Sequence, residues 1–406
     1  MTDRADPELP LAGVRVIDCS RVLAGPYCAQ LLGYMGAEVI KVEGPDGDEG
    51  RQWPPHRDDM GASFLALNAG KRGIVVDLKT PEGPGLVADL AAVSDVIVEN
   101  LKTGDMEKFG LGYEDLRPIN PRLVYTSVSA FGRTGPRSGL PGYEAVVQAY
   151  SGVMAATGPP DGGPARTGPS ILDMGTGVFA AFATVAALTR RAATGVGGRV
   201  DGSLLATSMG LMSNLVSNHL QHGGGPTRLG TGHPQLVPYQ AFATADGLVF
   251  VAAGNENLYR RLCEALGRTD LITDPRFVDN AARLANRDEC VAEFASVFAG
   301  HHTDEVTESL REHGVPSAPV NDFESVMADG QIDHLGVLAT GTDAAYGEFT
   351  IPGLPVQLDG LHVKTVGSAP RLGADTEDVM REVLGYDDDK VAGLLERGAI
   401  RGPVPT

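Results

Sequence analysis

The chain has 406 residues, 42% hydrophobic and 21% charged, with 52 acidic against 33 basic side chains and a formal net charge of −19. That length exceeds one ordinary core and predicts two domains, or one with large insertions. The composition is that of a folded soluble protein, and the acidity argues against a nucleic-acid partner and against adhesion to anionic membrane, while leaving room for a small anionic ligand held by a local cluster of Lys and Arg.

The opening "MTDRADPELP" has no apolar h-region, so no secretory signal is expected and the cytoplasm is the default compartment. Val14–Cys19 ("VRVIDC") reads as a strand. "RVLAGP" reads as its loop, "YCAQLLGYMG" as a helix, and Glu38–Glu43 ("EVIKVE") as a second strand. This is a β-loop-α-β unit of crossover length. Further strands are expected at Gly73–Leu78, Asp95–Asn100 and Leu123–Ala130. Apolar strands alternating with helices predict a parallel sheet covered on both faces, hence an α/β, Rossmann-like domain. The first loop holds only Gly25 and Gly33, so no dinucleotide fingerprint is formed.

A helix is expected from Met174 to Arg191, closed by the basic and glycine residues of "RRAATGVGGR". Its apolar run, Val178–Leu188, is about half the roughly 20 residues that span a bilayer, and reads as a buried helix. "GSLLATSMGLMSNLVSNHLQHGGG" reads as one more helix, and the composition shifts near residue 225. Strand, turn and helix follow in "LVFVAAGNENLYRRLCEALG". Residues 270–328 look mainly helical, with "GVPSAPVND" as a loop or short strand, and the tail predicts two short amphipathic helices. Cys19, Cys28, Cys263 and Cys290 form no CxxC pair and have no His at metal spacing, so neither a disulfide frame nor a metal site is expected.

Three groups of residues offer chemistry. Asp173, in "RTGPSILDMGTG", stands where the long helix starts. There it either caps the helix or, with Gly175 and Gly177 leaving space for a substrate, acts as a nucleophile able to form a mixed anhydride. Glu144, beside Tyr143 in "LPGYEAVVQAYSG", is either a surface acid on an amphipathic helix or a second polar group in a half-buried site. Lys41, Arg51, Lys71, Arg72, Lys102 and Lys108 stand at or just after strand ends, where α/β sheets bind ligands; they are either phosphate-binding or solvated loop charges. No GxSxG and no Ser/His/Asp arrangement is present.

Eight segments in order carry a resemblance across nearly the whole chain. They include "LPLAGVRVIDCSRVLAGPYCAQLLGYMGAEVIKVE", "LNAGKRGIVVDLK", "VIVENLKTGDMEKFGLGYEDLRPINPRLVYTSVSAFGRTGP", "GYEAVVQAYSG" and "LDMGTG", and continue through "HPQLVPYQAFATADG", "GVPSAPVND" and "APRLGADTEDV". Together they resemble the class III CoA-transferases, which include formyl-CoA:oxalate and carnitine CoA-transferases and a branch of α-methylacyl-CoA racemases. The resemblance implies a Rossmann-like large domain built from both chain ends (residues 1–225 and 331–406) with a smaller inserted α+β domain (226–330), and an interlocked homodimer. It implies that Asp173 is the catalytic aspartate. Asp173 would attack the donor acyl-CoA, pass through an aspartyl–acyl anhydride and an aspartyl-CoA thioester, and deliver CoA to a small carboxylic acid with no ATP and no cofactor.

The same resemblance assigns Val22, Ala24, Lys41, Asn68, Lys71, Arg72, Asn100, Lys102, Met106 and Lys108 to CoA binding, and Leu23, Tyr143, Glu144 and Gly254 to the substrate pocket. "AAGNEN" (Ala252–Asn257) occupies the place of the family's glycine loop but is poorer in glycine. Racemases carry a histidine where this chain has Tyr143, whose ordinary pKa near 10 makes a poor base at neutral pH. Formyl-CoA:oxalate transferases carry a glutamine where Leu23 stands, which leaves a larger or more apolar acid open. Two alternatives stay beside the transferase reading: proton transfer of the racemase type, and a CoA-binding protein without catalysis.

Overall fold

The computed structural model describes residues 9–58, 60–360 and 363–403. The chain divides into two compact units. One comprises the residues up to Ser151, Thr167–Ser217 and the chain from Gln331 onward; the other comprises Gly152–Arg166 and Asn218–Gly330.

The first unit is built on β1 (Arg15–Asp18), α1 (Ala24–Tyr34), β2 (Glu38–Glu43), β3 (Arg72–Val76), α2 (Gly83–Ala92), β4 (Val96–Glu99) and β5 (Val124–Ser129). Then come α3 (Glu144–Ser151), α4 (Ile171–Thr194), β6 (Gly198–Ser203) and α5 (Leu204–Leu211), and near the C-terminus α6 (Thr376–Glu382), α7 (Asp388–Glu396) and β7 (Ile400–Arg401). The sheet order is β7-β3-β2-β1-β4-β5-β6. Every pairing is parallel except that of β7 with β3. Without that antiparallel edge the order is 3-2-1-4-5-6, the doubly wound arrangement, in which the chain reverses direction between β1 and β4 and opens a crevice at their carboxyl ends. The strands are β-branched and apolar because both faces are covered. Ile17, Ile40, Ile74 and Ile97 pack with Leu86, Val87 and Leu90 of α2 and with Val379, Met380, Val391 and Leu394 of α6 and α7. On the other side α1 and α4 pack against each other and against the strands. The C-terminal segment is tied to β3 by hydrogen bonds from Val75 N to Thr376 Oγ1 (3.0 Å) and from Gly73 N to Asp375 Oδ2 (2.7 Å).

Three readings from the sequence need correction. The helix expected from Met174 starts at Ile171 and runs for 24 residues, long and apolar enough by length and composition to cross a membrane. It is only half buried: Ala180, Ala181, Thr184 and Leu188 face the unit, while Val178, Phe179 and Phe182 are exposed, Phe182 by 72%. Gly175, Thr176 and Gly177 interrupt the apolar pattern ahead of Val178, yet Thr176 and Gly177 are buried and continue the packed stripe. The segment Gly202–Gly225 is not one helix. It opens on the last two residues of strand β6, then forms α5, then a separate helix Ser213–His222. A glycine-flanked strand without a β-branched run gives no periodic signal, and it pairs because β5 presents an open edge.

In the second unit Tyr239–Ala243, Leu248–Ala252 and Ser317–Pro319 form an antiparallel sheet. Its core includes Phe242, Val249, Val251, Leu262, Phe294 and Phe298, with Phe242 and Phe298 stacked at 4.8 Å. Gly152–Arg166 joins it through hydrogen bonds from Gly230 N to Gly158 O (2.9 Å) and from Arg228 Nη2 to Gly162 O (3.0 Å), a pairing that no composition shift announced. All four cysteines are buried as free thiols. Burial pushes the Cys28 and Cys290 thiols up to about 12, so they are inert at neutral pH.

Candidate active site

The crevice predicted by the strand order is occupied by a cavity of about 150 Å³. Its wall is made by the loop after β1 (Arg21–Ala24), by Asn100 just after β4, by the carboxyl end of β5 (Val128–Ala130), and by Tyr143, Glu144 and Asp173. Every one of these segments belongs to the first unit.

The loop after β1 is held by buried charges. Lys41 is 0% exposed; it pairs with Asp48 at 3.1 Å and donates to Ser20 O at 2.9 Å. Lys71 pairs with fully buried Asp18 at 2.8 Å and donates to Pro26 O (3.0 Å) and Asn68 Oδ1 (2.9 Å). Asp18 also accepts from Ser20 N (3.0 Å) and from the Ser20 hydroxyl. Asp48 accepts from Val22 N with both oxygens, each at 3.2 Å. Val22 has φ +70, a left-handed conformation that costs a β-branched residue roughly 1–3 kcal/mol and persists only where the surroundings over-determine it. Asn100 clasps the same loop in both directions, accepting from Arg21 N and donating to Arg21 O, each at 2.7 Å.

These charges have a pH signature. Burial alone would raise the Asp18 pKa. The Lys71 and Lys41 ammonium groups, with hydrogen bonds from Lys71 and Ser20, outweigh it and hold Asp18 below the ordinary 3.8. Burial pushes Lys71 down to about 8, which leaves it protonated at neutral pH. A carboxylate depressed in the folded state contributes stability that is complete above its unfolded value and is lost as pH falls through the folded one. Stability should therefore fall below about pH 4, the unfolded carboxylate value. Asp18→Asn should be less stable at pH 7 and flatter between pH 4 and 2. Parallel curves for the two proteins in chemical denaturation would remove Asp18 as the cause.

Asp173 is reached from the other side. It is the third residue of α4, in the first turn, and the N-cap residue is Ser170. The capping role weighed for Asp173 is therefore not its position, although the positive end of the helix dipole still favours its negative charge. Glu144, buried at the start of α3, accepts from Leu172 N (3.3 Å) and from Gln148 Nε2. Gln148 in turn accepts from Thr167 N (3.0 Å) and donates to Thr167 Oγ1 (2.7 Å). These bonds lock the start of α4 to α3, and the residue after Leu172 projects at the cavity. Two close approaches complete the setting. A Cβ on Gly177 would meet Ala24 O at 2.8 Å, and one on Gly142 would meet Ala130 Cβ at 2.6 Å. Gly177 thus lets α4 lie against α1, and Gly175 faces Thr207 and Leu211 of α5. Their small size serves helix packing rather than open space for substrate.

The structure brings Asp173 together with Leu23, Tyr143 and Glu144 of the expected substrate pocket, and with Val22, Ala24 and Asn100 of the expected CoA set. Glu144 is a buried structural partner of α4, not a surface acid, and Tyr143 is 64% exposed. Lys41, Lys71 and Asn68 lie behind the wall, where their polar groups are spent on the fold. Met106 is buried in the sheet core. Arg72 pairs with Glu38 (3.2 Å) and Glu382 (2.9 Å), and Lys108 with Asp105 (2.6 Å). Lys102 is exposed. Gly254 belongs to the second unit, where a Cβ on it would touch Leu236 and Tyr239. Sequence reasoning passed over Arg21 and Glu49, which also line the cavity. The strand-end rule applies equally to Arg21, three residues past the end of β1.

Comparison with known proteins identifies the family. Residues 11–376 match the family described as CoA-transferase family III. The chain is 38% identical over 97% of its length to succinyl-CoA:glutarate CoA-transferase of Mus musculus, covering 91% of that protein. It is 39% identical over 92% of its length to succinyl-CoA:mesaconate CoA-transferase of Haloarcula hispanica, covering 96% of that protein. A crystal structure of a CAIB/BAIF family protein from Brucella suis superposes with a TM-score of 0.83 at 36% identity, over 92% of this chain and 99% of that one. With a match across nearly the whole sequence and a shared mixed α/β fold around a parallel-dominated sheet, the chain belongs to CoA-transferase family III.

Proposed function

We propose that this CoA-transferase moves CoA between short dicarboxylic acids, with Asp173 as the covalent carrier. The observation that carries the reading is the placement of Asp173 in the first turn of α4, on the wall of a small cavity at the carboxyl ends of β1, β4 and β5. A nucleophilic carboxylate there needs no metal and no ATP, because each step exchanges one acyl linkage for another. Asp173 attacks the donor thioester carbonyl and expels CoA thiolate, forming an aspartyl–acyl anhydride. The thiolate attacks the aspartyl carbonyl and expels the donor acid, leaving an aspartyl-CoA thioester. The acceptor carboxylate attacks that carbonyl and expels the thiolate. The thiolate then attacks the acceptor carbonyl of the new anhydride, forming acceptor-CoA and regenerating Asp173. Anhydrides are water-sensitive, so the closely packed wall around Gly142 and Gly177 supports the reading by limiting space for solvent.

Val22, Ala24 and Asn100 are proposed to hold the CoA arm near the thioester, with exposed Lys102 and Lys108 for its phosphates. Lys41, Lys71, Asn68 and Arg72 position the walls from behind. The diacid class rests on the two named relatives, whose donor and acceptor acids are both dicarboxylic. The reading includes a cytoplasmic, interlocked homodimer, which the exposed Val178, Phe179 and Phe182 of α4 support. The test is covalent trapping. After incubation with succinyl-CoA, borohydride should reduce the thioester on the Asp173 peptide, and hydroxylamine should release CoA from the protein. CoA transfer without any adduct at Asp173 would refute the carrier.

A further inference from the structure

Among the described residues Arg21 is the one cation that lines the cavity, beside the carboxylates of Glu49, Glu144 and Asp173. Its backbone is fixed at both ends by Asn100, yet among the described residues no carboxylate pairs with its guanidinium. The other cations near this loop, Lys41 and Lys71, are buried and paired. A charged side chain with a rigid base and an open head, facing a pocket otherwise acidic, is an arrangement suited to capturing an anion from solution.

Position along the substrate decides which anion. Arg21 lines the same small cavity, about 150 Å³, as Asp173 itself. The phosphates of CoA lie at the far end of the pantetheine arm from the sulfur. The second carboxylate of a short diacid lies only a few bonds from the carbonyl that reacts with Asp173. Resting on the transferase reading above, we propose that Arg21 determines acceptor class by binding the distal carboxylate of a dicarboxylic acid while the proximal one exchanges on Asp173. Leu23, between Arg21 and α1 in the chain, supplies apolar surface for the methylenes, and the guanidinium fork offers a two-point grip that a monocarboxylic acid leaves unused.

The test uses competition, so that any effect on the donor step cancels. The full-length enzyme is given succinyl-CoA and an equimolar mixture of glutarate and valerate, a diacid and a monoacid of equal length, and the ratio of glutaryl-CoA to valeryl-CoA is read by mass spectrometry. The wild type should favour the diacid, and Arg21→Met should lower the ratio by roughly 30- to 100-fold, the effect of losing a charge-assisted contact. Arg21→Lys should keep most of the preference, which also shows that the exposed position tolerates substitution. An unchanged ratio in Arg21→Met overturns the proposal, and slower turnover at unchanged ratio reassigns Arg21 to CoA or to the loop. Absence of both products from the wild type would instead refute the dicarboxylic-acid reading of the transferase, before any ratio is measured.

Discussion

Asp173→Ala should fold, retain affinity for CoA and lose CoA transfer by roughly 10⁴-fold or more, the scale on which removal of a covalent nucleophile acts. The fold should survive for local reasons. Asp173 is on the first turn of α4 and half-buried, and its backbone stays helical with alanine. Loss of a carboxylate near the dipole costs about 0.3–1 kcal/mol, and alanine's higher helix propensity returns about half of that. Several bonds that anchor α4, from Leu172 N to Glu144 and from Thr176 Oγ1 to Leu172 O (2.6 Å) and Thr207 (2.7 Å), are independent of the Asp173 side chain. Asp173→Glu is the sharper variant. It keeps the charge and the chemistry but adds one methylene, and a misplacement of ~1 Å costs about 10²-fold in a positioned reaction. Chemical denaturation, CoA binding and CoA exchange on the same preparations separate the outcomes. A stably folded Asp173→Ala protein that exchanged CoA at the wild-type rate would end the covalent mechanism. Wild-type enzyme that washed deuterium into the α-position of an acyl-CoA without an acceptor acid would point to proton transfer instead.

Much of the first unit was legible because its strands are doubly covered. Apolar β-branched runs such as "EVIKVE" and "DVIVEN" stand out against the intervening helices, and the observed β2 and β4 fall within one residue of those bounds. What stayed hidden is non-local. Strand β6 takes its identity from the open edge of β5, and β7 from β3, more than 300 residues earlier in the chain. At the site, Asp173, Leu23, Tyr143 and Glu144 were found as motif positions and do converge. The lysines show the limit of that logic. Lys41 and Lys71 have the right sequence position for phosphates, but each sits at or beside a strand end where Asp48 and Asp18 reach it first. A cation's partner is set by packing, which a charge pattern along one chain does not encode. Arg21 illustrates the converse: nothing in "SRVLAGP" distinguishes it from a solvated arginine until the cavity and the Asn100 clasp are seen together.

Asp48→Ala should destabilise the protein and the loop that frames the cavity, by about 3–5 kcal/mol, because it leaves the Lys41 ammonium buried without the carboxylate that pairs with it at 3.1 Å. The residual attraction of Asp18 and Glu43, which together with Asp48 hold Lys41 well protonated in spite of burial, places the expected value toward the lower end. Two further losses add to it. Gly50 N loses its acceptor at 2.9 Å, and Val22 N loses both of its contacts. With that restraint gone, Val22 has reason to leave its left-handed conformation, and the wall it forms with Leu23 and Ala24 shifts. The kinetic consequence should therefore be a KM for the acyl-CoA raised roughly 10-fold with a smaller change in kcat, since Asp173 is held separately by α3 and α4. A double-mutant cycle identifies the cause. Lys41→Met alone should cost as much as Asp48→Ala by stranding the carboxylate, whereas Lys41→Met/Asp48→Ala should recover much of the loss, because neither charge is then buried unpaired. If Asp48→Ala lies within about 0.5 kcal/mol of wild type in urea unfolding, the range of an ordinary surface substitution, then the buried pair does not hold the loop.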